Sequence, residues 1–235
     1  MALETTTGKI LLPNSLTTPS LTLTTNSGTI DGGDINGNLT LNSEMGIVRL
    51  NNISGNLTGT EKLNGTDIKL LSIGGELGIP NARNVKLEVG KVDGFININT
   101  QGGIVTIGKN NSGILSRANI TTDSGTIKVY ISGDELVNLQ TKSGKITAYF
   151  EVFNSNKNIT TESGNIDIYL NQNTSLNLIC ETKNETILNW EETKVKNDIV
   201  YREIRGSSIF DNSILKIKSN TGKINVVREV DLVFE

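Results

Sequence analysis

Along most of the chain, apolar residues fall on alternating positions in short runs broken by polar corners that end in glycine. Leu21 and Leu23 lead into Thr25-Asn-Ser-Gly28, and Val137 and Leu139 lead into Thr141-Lys-Ser-Gly144. Ile127, Val129 and Ile131 follow the corner at Gly125, and Ile146, Ala148 and Phe150 follow the one at Gly144. Alternation on both sides of a corner predicts two short strands, each with one buried face. Glycine at the bend is expected to supply backbone dihedrals that other residues avoid.

The unit recurs. Residues 120–127, 139–146 and 159–166 are near copies, and further copies surround Gly28, Gly46, Gly103 and Gly222. Glycines at 28, 46, 65, 103, 125, 144, 164 and 222 are separated by 18, 19, 38, 22, 19, 20 and 58 residues. These intervals are close to multiples of about 19, with missing rungs expected near Asn84, Lys183 and residue 203. Such a period is too short for a βαβ unit and too regular for a sandwich. It predicts an all-β chain, a β-solenoid resembling a right-handed β-helix with about 19 residues per coil. Residues 1–235 then form one domain. The corners Gly28, Gly46, Gly103, Gly125, Gly144, Gly164 and Gly222 are its structural signature.

A hydroxyl stands three residues before each corner glycine: Thr25, Ser43, Thr100, Thr122, Thr141, Thr161 and Ser219. Strand parity turns it inward, where it can hydrogen-bond the backbone of the bend. Every rung has one and no base accompanies it, so a nucleophile is not indicated. Counting one period on from Gly164 places a corner at Lys183 and Cys180 in this hydroxyl slot, as a buried thiol.

Repeated Thr-x-Ser-Gly-x-Ile corners at this spacing resemble the bacterial adhesin-type family of Gly-rich β-solenoids, the toastrack domain. The likeness covers residues 20–170 and returns at 214–227. It implies a β-solenoid binding module of the cell envelope or cell surface, with no catalytic residues to transfer.

The register breaks over 184–213, which holds Trp190 and an alternating charged run. This stretch is expected to form an irregular hairpin turning near Asn197-Asp198 and covering one solenoid end. Residues 1–19, interrupted by Pro13 and Pro19, are expected to cap the other end, and 214–235 to supply a final rung and terminal strand.

Outward positions also stack. Five residues after the glycine come Tyr130, Tyr149 and Tyr169 on consecutive rungs, about 4.8 Å apart. Two residues earlier on the same face are Lys128, Thr147 and Asp167. An exposed aromatic strip flanked by polar groups suits a sugar ring or a partner protein, so these residues are the expected recognition surface. The other reading of the strip is strand-stacking through same-face contacts. Two residues before the glycine, Asp123, Lys142 and Glu162 alternate in sign. Read as a glycosidase pair, Asp123 and Glu162 lie about 9.6 Å apart, at the wide end of the inverting range. Lys142 between them would keep both ionised, whereas one must be a protonated acid. Asp31, Asp34, Asn36 and Asn38 hint at a calcium loop but lack its glycine and bidentate glutamate, so no metal is expected. Asn-x-Ser/Thr triplets at Asn38, Asn56, Asn64, Asn119 and Asn158 follow from the abundance of Asn and Thr.

Composition narrows the function further. Aromatics are 4 % of the chain, which agrees with β-branched strands rather than helices. No histidine is present, which removes His-based triads, metal sites and pH switches. A single cysteine excludes an internal disulfide. A net charge of −3 gives no case for nucleic acid. No apolar run is long enough for a membrane span, and Met1-Ala-Leu-Glu4 lacks the order of a signal peptide. The expectation is a cofactor-free, non-catalytic module at a bacterial envelope, binding a cell-surface glycan or an envelope protein. The alternative is a polysaccharide-active β-helix enzyme using the acidic stripe.

Overall fold

Equivalent positions of successive repeats lie side by side in parallel register. Ile98, Ile120, Leu139, Ile159 and Ile217 form one such column, and Ile127, Ile146, Ile166 and Ile224 another. All nine are at most 1 % exposed, so inward parity is kept through the stack. The computed structural model describes residues 1–108, 112–133, 135–151, 153, 155–189, 193–196, 199–204 and 213–229. Among these there are 25 strands and no helix. Each coil contributes one strand before its corner, such as Val137–Thr141, and one after it, such as Ile146–Phe150. The chain is a β-solenoid whose core is a stack of Ile, Leu and Val columns.

The corner glycines are needed for a reason other than the expected one. Of the seven, only Gly103 has a left-handed backbone, with φ +100°. At Gly144 and Gly164 the constraint is the neighbouring coil: an added Cβ would meet the carbonyl oxygen of the preceding corner glycine at 1.6 Å. Left-handed dihedrals instead stack at the preceding corners of three coils, on Met45, Gly65 and Asn84, with φ +53°, +60° and +50°. Gly65 therefore stacks on Met45, and Thr66 occupies the slot aligned with Gly46. Five of the seven inward hydroxyls act as anticipated, whereas Thr100 bonds Gly102 and Ser43 has no partner. Thr25, Thr122, Thr141, Thr161 and Ser219 each accept from the backbone N–H of their corner glycine at 2.8–3.0 Å.

Both solenoid ends differ from the sequence reading. Residues 1–19 are no separate cap, because Ala2–Thr5 and Lys9–Leu11 pair in parallel with the next coil like any other rung. Pro19 lies inside the strand Ser15–Thr25, at a register shift between Thr17 and Ser20 that absorbs its missing N–H. At the other end, coil order departs from chain order. The strands Ile214–Ser219 and Ile224–Glu229 pair with Lys157–Thr161 and Ile166–Asn171 on one side. On their other side they pair with Leu176–Thr182 and Glu185–Leu188. The last coil in sequence is thus inserted beneath the coil that precedes it.

The expected hairpin is present and covers the outermost coil, but it turns between Leu188 and Thr193 rather than near Asn197-Asp198. Thr193–Lys196 runs antiparallel to Glu185–Leu188, and Ile199–Ile204 antiparallel to Leu176–Thr182. The chain turns back on itself between Leu188 and Thr193 and retraces the solenoid path in the opposite sense. Trp190, Asn197, Asp198 and the terminal segment 230–235 lie outside the described residues.

Cys180 is buried, but two positions from the slot assigned to it. It pairs with Ile217 in an apolar column, while Thr182 aligns with Ser219 and takes the hydroxyl slot. Thr182 donates to the Gly222 carbonyl at 2.7 Å and accepts from the Asn184 backbone N–H, so the corner is at Asn184 rather than Lys183.

Candidate functional site

The tyrosines share a register as expected, with Tyr130, Tyr149 and Tyr169 directly paired on consecutive coils. Their rings stack, at 6.5 Å for Tyr130–Tyr149 and 4.5 Å for Tyr149–Tyr169. Their exposure is not as expected. Tyr130 is 2 % and Tyr149 8 % exposed, and Tyr169 is half-buried, forming a small apolar cluster apart from the main core. Burial, with the Glu151 carboxylate accepting from the phenol, pushes the Tyr130 pKa up to about 12. The strip is therefore a packed seam on the outer face and offers little ring surface to a ligand. Beside it Lys128, Thr147 and Asp167 stack in one row, with Asp167 paired to Lys145 Nζ at 2.6 Å.

In the charged stripe Lys142 and Asp123 form an exposed ion pair. Lys142 Nζ lies 2.6 Å from Asp123 Oδ1, and this hydrogen bond, the Asp123 charge and then Glu162 raise the Lys142 pKa. A carboxylate held beside an ammonium group is a poor proton donor for glycoside cleavage. The oxygens of the calcium-like segment are used by the next coil. Asp34 Oδ1 accepts from the Asn52 side-chain amide at 2.8 Å, and Asn38 Oδ1 from the Asn56 backbone N–H at 2.9 Å.

What the sequence reading missed is a groove of about 680 Å³ on another outer face. Two outward rows line it, six and eight residues before the corner glycines. The first row is Asn119, Asn138 and Asn158, followed by Lys216 on the inserted coil, and Asn97 continues the same row beyond the groove. Its side-chain amides form a ladder: Asn119 Nδ2 donates to Asn97 Oδ1 at 3.3 Å, Asn138 to Asn119 at 2.8 Å, and Asn158 to Asn138 at 3.0 Å. Each such link consumes one amide proton and one lone pair. A second proton and a second lone pair remain on each asparagine for a ligand.

The second row is Phe95, Arg117, Leu136, Asn156 and Ile214. Leu136 is 52 % and Ile214 37 % exposed, large values for such side chains. Arg117 lies over the Phe95 ring, 4.6 Å from its centroid. This wall is held in place by Lys157, which stands in the inward column between Val137 and Leu215 yet is only 1 % exposed. Its ammonium donates to the Glu135 carbonyl at 2.5 Å and to the Ser155 hydroxyl, next to Leu136 and Asn156, and lies 5.3 Å from the Phe153 centroid. The groove thus has an amide wall, an apolar wall and cations along its length. Across the five coils it covers it runs about 19 Å parallel to the solenoid axis.

Compared with family models, characterised proteins and solved structures, the chain matches none.

Proposed function

We propose that this chain is a non-catalytic binding module whose groove takes an extended glycan, displayed at a bacterial cell envelope. The observation that carries the reading is the asparagine ladder from Asn119 to Asn158 facing an exposed apolar wall. Sugars present hydroxyl groups at their edges and C–H faces above and below the ring. A site for them needs donors and acceptors on one side and apolar area on the other. The ladder fixes each amide in orientation before binding, which removes side-chain ordering from the cost of association. Repetition at each coil suits a polymer better than a single small molecule. The toastrack resemblance adds the envelope setting, and the groove takes over the role first assigned to the tyrosine strip.

The experiment is affinity electrophoresis of the native protein through gels containing extended neutral and acidic polysaccharides, repeated with Asn138→Leu. Retardation by at least one polymer and its loss in the variant are expected. Retardation that persists in Asn138→Leu would overturn the assignment, as would migration unaffected by any polymer.

A further inference from the structure

We infer that the groove selects an acidic polysaccharide, a chain carrying uronic acid carboxylates that Arg117 and Lys216 receive. This inference rests on the glycan-binding reading and adds the charge of the ligand. Among the described residues that line the groove, three are cationic, Arg117, Lys157 and Lys216, and none is a carboxylate. The chain as a whole is acidic, with 25 Asp and Glu against 22 Lys and Arg, so a carboxylate-free groove runs against the background. A focused positive potential in an otherwise acidic surface attracts anions to that groove rather than to the molecule at large.

The two accessible cations are placed for a polymer. Arg117 is in the apolar row, and Lys216 continues the asparagine row three coils further on, about 14 Å along the axis. An acidic chain lying on the asparagines would meet a cation at each end of the groove. The Arg117 guanidinium, 4.6 Å from the Phe95 centroid, has the planar fork that can grip a carboxylate with two parallel N–H bonds. Lys157 is committed to backbone and hydroxyl acceptors and acts as a positioning residue for the wall.

The test compares polygalacturonate oligosaccharides with their full methyl esters, which keep the sugar shape and remove the charge. Titration calorimetry on native protein is expected to show the acid binding about tenfold more tightly per engaged cation, as for hydrogen bonds to charged groups. The advantage should shrink at high salt. The double variant Arg117→Gln with Lys216→Gln should bring the affinity for the acid down to its own affinity for the ester, and its fold should be kept because both side chains are exposed. Equal affinity for acid and ester overturns the charge inference and leaves the glycan reading standing. No binding of either overturns both. Polyphosphate bound as tightly as the oligosaccharide would also overturn the inference, since it supplies charge without sugar.

Discussion

A β-carbon placed on Gly144 would stand 1.6 Å from the carbonyl oxygen of Gly125. The relation repeats up the stack, with Gly164 over the Gly144 carbonyl at 1.6 Å and Gly222 over that of Gly164 at 1.9 Å. Glycine is required because adjacent coils touch backbone to backbone at this corner. Gly144→Ala should cost about 3 kcal/mol, the upper range for overpacking, because a carbonyl rather than a flexible side chain must move. Gly78 is the control, since its added β-carbon meets nothing nearer than the Leu57 carbonyl at 4.0 Å. Gly78→Ala should leave stability unchanged or raise it by about 0.5 kcal/mol. Urea midpoints decide the matter, and equal midpoints for the two variants would remove the steric account.

The hydroxyl slot makes a second comparison within one register. Thr141 accepts from the Gly144 N–H at 3.0 Å, whereas Ser43, three residues before Gly46, has a buried hydroxyl with no hydrogen-bond partner. Thr141→Val leaves a buried donor unsatisfied and should cost about 1–3 kcal/mol. Ser43→Ala removes only an unpaired polar atom, so its midpoint should stay within about 0.5 kcal/mol of the parent. Chemical denaturation of both variants checks this, and a larger loss at Ser43 would contradict it.

The solenoid was legible because its inward columns repeat in sequence whenever they repeat in space, and Ile127, Ile146 and Ile166 show this directly. The role of Gly144 was not legible, since its constraint comes from a carbonyl on another coil. Cys180 was placed two positions off because its corner at Asn184 lacks glycine and because its neighbour, Ile217, comes later in the chain. No periodicity announces a coil that inserts out of order. The parity of the tyrosines was readable, but their burial depends on what packs against the outer face. The asparagine row was within reach. Asn97, Asn119, Asn138 and Asn158 all stand six residues before a corner glycine, yet Asn119 and Asn158 passed as products of composition.

The stacked tyrosines should behave as structure. Tyr149 lies between two rings, 4.5 Å from Tyr169 and 6.5 Å from Tyr130, and is 8 % exposed. Tyr149→Ser removes a buried aromatic and both stacking contacts, and should destabilise by about 3 kcal/mol. Glycan retardation of the folded variant should match the parent, because the groove lies on a different face. A variant with unchanged stability but lost binding would return the recognition surface to this strip.

Cys180 reports on the inserted coil. Its thiol packs against Ile217, is fully buried, and has its pKa pushed by burial from 9.0 to about 12. A thiol reagent should react slowly with native protein and quickly after unfolding. Ile217→Asp buries a charge between the two outermost parallel coils and should speed labelling of Cys180 by roughly a hundredfold, about 3 kcal/mol of local opening. Ile30→Asp makes the same change near the other end and should leave Cys180 protected, because a solenoid couples mainly nearest neighbours. The thiol also sets an alkaline limit. Above about pH 9 the unfolded chain releases this proton while the folded chain holds it, so the unfolded state binds fewer protons and stability falls as pH rises toward 12. Tyr130, raised from 10.0 to about 12, adds to the fall from about pH 10 upward. Cys180→Ala should therefore lose less stability than the parent between pH 8 and pH 11. Parallel urea midpoints for the two proteins across that range would show that the thiol is not held protonated by the fold.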